Sequence, residues 1–121
     1  MSGFKYKSDH NLEERKIEAE RILREYPTRR PVICERAPNS KADLEILKKT
    51  KYLVPTDMTV GQFQFILRRN LNLNELSALY LITPKGITLT LDKTMMEVYN
   101  IHKDKQDNFV YLYYASELTW G

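Results

Sequence analysis

Apolar residues recur at near-helical spacing through residues 12–26, where Leu12, Ala19, Ile22, Leu23 and Tyr26 stand among charges. Asn11 with Glu14 three residues on is a capping box for this helix, and Pro27 ends it. Residues 5–9 carry a weaker signal for a helical turn. Pro31-Val32-Ile33-Cys34-Glu35 reads as a strand, and residues 37–48 as a polar connection turning at Pro38-Asn39-Ser40. Lys51-Tyr52-Leu53-Val54 is a second strand, stopped by Pro55. Thr59-x-x-Gln62 then opens a helix to about Leu71, with Val60, Phe63, Ile66 and Leu67 on its buried face. Leu79 to Ile82 is a third strand. The turn Thr83-Pro84-Lys85-Gly86 leads into Ile87-Thr88-Leu89, a short fourth. Thr94-x-x-Glu97 caps a short helix bearing Met95, Val98 and Tyr99, and residues 109–114 form the last strand.

This order, a helix followed by strand–strand–helix–strand–(strand)–helix–strand, predicts an α+β fold of the β-grasp type, the ubiquitin-like mixed sheet wrapped on one helix. The strands are apolar on consecutive positions, which predicts a sheet covered on both faces. The helix from Thr59 covers one face, and the helix at 12–26 is the natural cover for the other. The expected division is an N-terminal helical extension at 1–26, a β-grasp core at 27–116 and a tail at 117–121, all in one globular domain.

Composition narrows the function. A chain of 121 residues, 42% hydrophobic and 29% charged, buries a core without staples. One cysteine, Cys34, excludes an internal disulfide and suits a reducing compartment; the expected localisation is cytoplasmic. No segment reads as a signal peptide, a membrane span or a lipid-anchor motif. The net charge of +3 is unevenly spread: residues 27–55 carry seven basic and three acidic side chains, a local +4. That favours acidic peptides or anionic surfaces over nucleic acid, which wants a denser basic stripe. Cys34 lies within an apolar strand and reads as core. His10 and His102 lack metal-ligand spacing, the four glycines make no phosphate loop, and no constellation supports catalysis. Neither a cofactor nor a metal is expected. Lys49 to Val54 has the composition of an edge strand, with Lys49, Lys51 and Pro55 guarding it against unwanted pairing.

Three blocks carry a family resemblance. Tyr26-Pro27-x-Arg29-x-Pro31-Val32-Ile33-Cys34-Glu35-Arg36 is one. Lys49-x-Lys51-Tyr52-Leu53-Val54-Pro55 followed by Val60-Gly61-Gln62-Phe63 is the second. Val110-Tyr111-Leu112-Tyr113-Tyr114-Ala115-Ser116-Glu117, with Gly121 last, is the third. Together they resemble the autophagy-related ubiquitin-like modifiers of the GABARAP and microtubule-associated light-chain group.

The resemblance implies two additional N-terminal helices on the β-grasp. It also implies conjugation through Gly121: an ATP-dependent activating enzyme, thioesters on conjugating enzymes, then an amide to phosphatidylethanolamine on the autophagosome membrane. A cysteine protease would process the precursor and reverse the conjugation. Receptors and adaptors with an aromatic-x-x-aliphatic motif and acidic flanks are the implied peptide partners. Their aromatic side chain falls to Ile22, Pro31, Ile33, Leu53 and Phe109, with Glu18, Lys49 and Lys51 beside them. Their aliphatic one falls to Tyr52, Val54, Pro55, Met58, Phe63 and Ile66, and Arg29 and Arg68 complete an electrostatic rim. Met58 and Asn70 depart from the family's usual branched aliphatic and basic residues. The alternative is a ubiquitin-like peptide-binding adaptor, never conjugated, in vesicle trafficking or cytoskeletal attachment.

Overall fold

The computed structural model describes residues 3–38, 40 and 44–117. Two helices come first, α1 (Lys5–Asp9) and α2 (Leu12–Glu25). They are followed by β1 (Arg29–Arg36), β2 (Lys51–Pro55), α3 (Val60–Asn70), β3 (Tyr80–Ile82), α4 (Met95–His102) and β4 (Val110–Ala115). The helices α2, α3 and α4 start where the sequence places capping boxes. In each, the cap side chain (Asn11, Thr59 or Thr94) accepts from the N–H three residues on, and that residue's side chain (Glu14, Gln62 or Glu97) accepts from the cap N–H.

The strands form one sheet in the order β2-β1-β4-β3. β1 and β4 pair in parallel at the centre, in register from Val32 opposite Val110 to Arg36 opposite Tyr114. The outer pairs are antiparallel, with Pro31 opposite Leu53 and Leu81 opposite Tyr114. This is a mixed ubiquitin-like sheet, and β2 is an edge.

Both faces are covered, and successive strand residues alternate between two cores. Val32, Cys34, Tyr52, Val54, Val110, Leu112 and Tyr114 turn toward Val60, Phe63 and Leu67 of α3 and Met95 and Val98 of α4. Ile33, Phe109, Tyr111 and Tyr113 turn toward Ala19 and Ile22 of α2 and toward Phe4. The Phe4 ring stacks on Tyr113 at 4.2 Å between centroids, and the Glu35 carboxylate accepts from the N–H groups of Lys5 and Tyr6. α1 is thereby held against the sheet.

Several expectations are corrected. Residues 87–89 are no named strand: Thr88 makes an isolated bridge to Ile82, and Leu89 N–H donates to the Leu81 carbonyl. The turn before them is closed by Gly86 N–H on the Thr83 carbonyl with Gly86 at φ +89°, and the pairing ends at Leu89, since the Leu91 carbonyl is already taken by Gly61 N–H of α3. The 37–48 connection is not merely polar. Leu44 and Leu47 are buried, and Tyr114 Oη donates to the Glu45 carbonyl while accepting from Leu47 N–H. Leu12 and Tyr26 of the first amphipathic face are exposed, Arg15 is buried in their stead, and Ile66 of α3 is only half-buried.

Candidate functional site

The free edge of β2 decides what this surface can do. Cys34 N–H donates to the Thr50 carbonyl and Thr56 N–H to the Thr28 carbonyl, so the backbone groups of Tyr52 and Val54 face β1. Those of Lys51 and Leu53 therefore face outward, and Pro55 closes the edge without an N–H. Arg29 reaches from β1 and donates to the Leu53 carbonyl at 2.9 Å.

Side chains on β2 alternate about this edge. Leu53 and Lys51 lie on the α2 side. Leu53 packs on the cluster containing Ile22, Ile33 and Phe109, and buried Pro31 stands opposite it in register. Tyr52 and Val54 lie on the α3 side with Phe63, and Met58 packs against the same core. Half-buried Pro55, Met58 and Ile66 and exposed Phe65 line an open groove there. The two sets implied by the resemblance thus flank β2 on opposite faces. Ile22, Ile33, Phe109 and Phe63 are buried, while Leu53, Pro55, Met58 and Ile66 are half-buried.

The polar residues divide differently. Glu18 of α2 accepts from Lys51 Nζ at 2.6 Å and from the Arg21 guanidinium through both oxygens. Lys49 does not join this pair; its ammonium sits 4.9 Å above the Tyr52 ring, while its carbonyl accepts from Tyr52 Oη. Arg68 is turned onto the backbone of its own helix's exit, donating to the Asn74 carbonyl at 2.9 Å. Gly121 lies outside the described residues.

Hydrogen bonds from Arg21, and then from Lys51, outweigh burial and hold the Glu18 carboxyl down at about 2 from an ordinary 4.5. A depressed carboxylate stabilises the fold fully above the unfolded value and loses that contribution as pH falls through the folded one. Stability should therefore decline between pH 4.5 and about 2. Glu18→Gln should flatten that limb, as read from urea midpoints across the window. Parallel acid limbs in the two proteins refute the assignment.

Cys34 is fully buried, and burial pushes its thiol up, so the reactive thiolate is disfavoured. Among the described residues, no group of three His, Cys, Asp or Glu side chains is placed to hold a metal ion. None of their helices is long and apolar enough to cross a membrane.

A family model described as "Autophagy protein Atg8 ubiquitin like" matches residues 14–121. The chain belongs to the Atg8 family. Autophagy-related protein 8 of Mycosarcoma maydis is 41% identical over 116 residues, 96% of this chain and 95% of that protein. Autophagy-related protein 8 of Neosartorya fischeri is 41% identical over 117 residues, 97% of this chain and 96% of that protein. The crystal structure of Trypanosoma brucei ATG8 superposes with a TM-score of 0.88 at 38% identity, covering 99% of this chain and all of that one. The chain is therefore a ubiquitin-like autophagy protein. The three sequence blocks that resemble the Atg8 family converge in the fold: two of them contain β1 and β2, and the third supplies β4 beside β1.

The Arg15–Asp107 contact escaped the sequence reading. Arg15 Nε donates to Asp107 at 2.8 Å, Tyr111 Oη donates to the same carboxylate oxygen, and Phe109 N–H donates to the other. This buried cluster ties α2 to the segment that positions Phe109. An arginine inside the apolar face of the predicted helix was the one available signal.

Proposed function

We propose that this protein is a ubiquitin-like modifier, not itself an enzyme. It is joined through Gly121 to phosphatidylethanolamine on autophagosomal membranes, and it recruits proteins carrying an aromatic-x-x-aliphatic motif beside acidic residues. Activating and conjugating enzymes act on it, and a cysteine protease processes and releases it. Unconjugated, it is cytoplasmic.

The observation that carries the recognition half is the free edge of β2. The edge turns the backbone groups of Lys51 and Leu53 outward, the Leu53 carbonyl already accepting from Arg29, with apolar side chains on its two faces. An extended peptide adds a strand there, and its alternate side chains fall to opposite faces. A motif whose two apolar anchors straddle the strand fits that division. Burying an aromatic anchor of about 150–250 Å² yields about 4–6 kcal/mol gross, much of it consumed by association and ordering. A dissociation constant in the micromolar range, about −8 kcal/mol, is expected. Acidic flanks strengthen it through the basic 27–55 segment, and salt weakens that increment.

Family membership over residues 14–121 supports the conjugation half, since the matched region includes Gly121. Two acyl chains hold a protein stably on a bilayer where one is marginal, at about 0.8 kcal/mol per buried methylene. The test is incubation with activating and conjugating enzymes, ATP and phosphatidylethanolamine liposomes. Mass spectrometry should show a phosphatidylethanolamine adduct on Gly121. An unmodified mass in a reaction that lipidates a fungal relative overturns the conjugation claim.

A further inference from the structure

The far end of the sheet carries a second charged surface, which peptide capture and tail conjugation do not use. Lys7, Lys85, Lys103 and Lys105 line a hollow of about 420 Å³ together with Ile101, His102, Asp104 and Tyr111. Three elements bring them together: α1, the Thr83–Gly86 turn and the loop between α4 and β4. Lys7 is neutralised by Asp104 at 2.8 Å and lies over the Tyr111 ring. Lys85, Lys103 and Lys105 are exposed; Lys103 Nζ lies over the Tyr99 ring, 5.4 Å from its centroid, and among the described ion pairs the nearby carboxylates Asp104 and Asp107 are taken by Lys7 and Arg15. Among the described residues, Asp104 is the one acidic side chain lining the hollow.

Beside this hollow lies an apolar one of about 200 Å³. It is bounded by Ile87, Leu89, Val98 and Ile101 and shares Ile101 and His102 with the first. Ile87 is 49% exposed and Ile101 70% exposed, so both stand proud of the surface next to the lysines. The turn that presents Lys85 and Ile87 is fixed: Thr83 N–H donates to the Ile87 carbonyl and Thr83 Oγ1 accepts from Ile87 N–H. The His102 imidazole is pushed below its ordinary value by burial and then by Lys85, so the cationic field reaches into the hollow.

We propose that this end of the sheet is a noncovalent membrane contact, in which Lys85, Lys103 and Lys105 take the headgroups of an anionic phospholipid surface and Ile87 and Ile101 enter its interface. Protruding aliphatics beside lysines suit the interfacial region of a bilayer, where apolar groups bury shallowly and ammonium groups meet phosphates. An acidic peptide fits less well. The backbone here is already paired, with the Leu81 carbonyl and Thr83 N–H both engaged by the 87–89 segment, so no strand edge is offered. The contact lies toward the opposite end of β4 from Ala115, and Val110 to Ala115 is about 17 Å along the strand. Residues 116–121, fully extended, reach about 20 Å, so one membrane can meet both.

The test uses the full, unconjugated chain without conjugating enzymes, so its outcome is independent of the Gly121 claim. Co-sedimentation with phosphatidylcholine vesicles, with and without phosphatidylserine, should show binding only to the anionic ones and a decline with added salt. Each lysine near the surface is worth about fivefold in partitioning, so Lys85→Glu with Lys105→Glu should lower binding more than tenfold. Motif-peptide affinity should be unchanged in this variant, which also verifies its fold. Ile101→Ser should weaken vesicle binding severalfold. Equal sedimentation with both vesicle types overturns the proposal, as does retention of binding by the double variant. Binding of polyglutamate without binding of anionic vesicles assigns the surface to an acidic protein instead.

Discussion

Replacing Asp107 with alanine should lower the unfolding free energy by about 3–5 kcal/mol, the usual cost of breaking a buried ion pair by removing one partner. Asp107 is fully buried and the Arg15 side chain is 9% exposed, so solvent screens little of the contact. The carboxylate receives three donors, Arg15 Nε, the Phe109 N–H and Tyr111 Oη. Its removal leaves a guanidinium, a hydroxyl and an amide without their partner in a dry site. Arg15 retains one contact, to the His10 carbonyl, which does not neutralise it. Against a total stability of about 5–15 kcal/mol, this loss takes about a fifth or more, and a midpoint drop of roughly 10–20 °C follows. Urea unfolding measures it. A double variant, Arg15→Met with Asp107→Leu, should recover part of the loss, because it removes both charges together. A single-variant loss below about 1 kcal/mol would falsify the view that this pair is a buried structural tie.

The second large effect is on recognition. Lys51→Ala with Leu53→Ala should weaken a motif peptide about 30- to 100-fold, roughly 2–3 kcal/mol, while stability changes by about 1 kcal/mol or less. Leu53 is half-buried on the α2 face, beside the cluster of Ile22, Ile33 and Phe109, so truncation removes apolar surface at the place proposed for the aromatic anchor. Lys51 stands beside it, paired with Glu18, and Glu18 stays paired with Arg21 after Lys51 is lost. Neither substitution removes a bond to β1, since Tyr52 and Val54 carry that ladder. Calorimetry with a peptide bearing the aromatic-x-x-aliphatic motif and an acidic flank reads the change. Arg68→Ala is the contrast and should shift affinity less than about threefold, because its guanidinium is engaged with the Asn74 and Glu75 carbonyls. Unchanged affinity in the Lys51 and Leu53 variant removes the site from this edge.

What the sequence made legible was local or periodic. Asn11 with Glu14, Thr59 with Gln62 and Thr94 with Glu97 are three-residue signals, and each marks a helix start. Unbroken apolar runs such as Val32-Ile33-Cys34 announced a sheet buried on both faces, and Ala19 and Ile22 do cover the second face. What stayed hidden depends on contacts between distant residues. Arg15 reads as one more charge on a helix until Asp107 is brought beneath it. Leu44 and Leu47 read as loop until Tyr114 draws their segment onto the core. At the site, alternation along Tyr52-Leu53-Val54 divides the strand between two faces, but the directions taken by Lys49 and Arg68 follow from the Tyr52 ring and from the turn at Asn74. Residue type and spacing do not encode those.

The parallel pairing of β1 with β4 also sets a timetable. Each central contact joins residues near the start of the chain to residues near its end, as Val32 with Val110 does, and such closures are entropically slow. During synthesis the middle of the sheet stays open until the residues through Ala115 have left the ribosome. α3 and the β1–β2 hairpin have no complete core to dock on before then. Ala115, the last residue of β4, is thus the point at which the sheet can close on both β1 and β3. A chain released before that point carries the β1–β2 ladder with the other side of β1 unpaired, an open strand edge where β4 belongs.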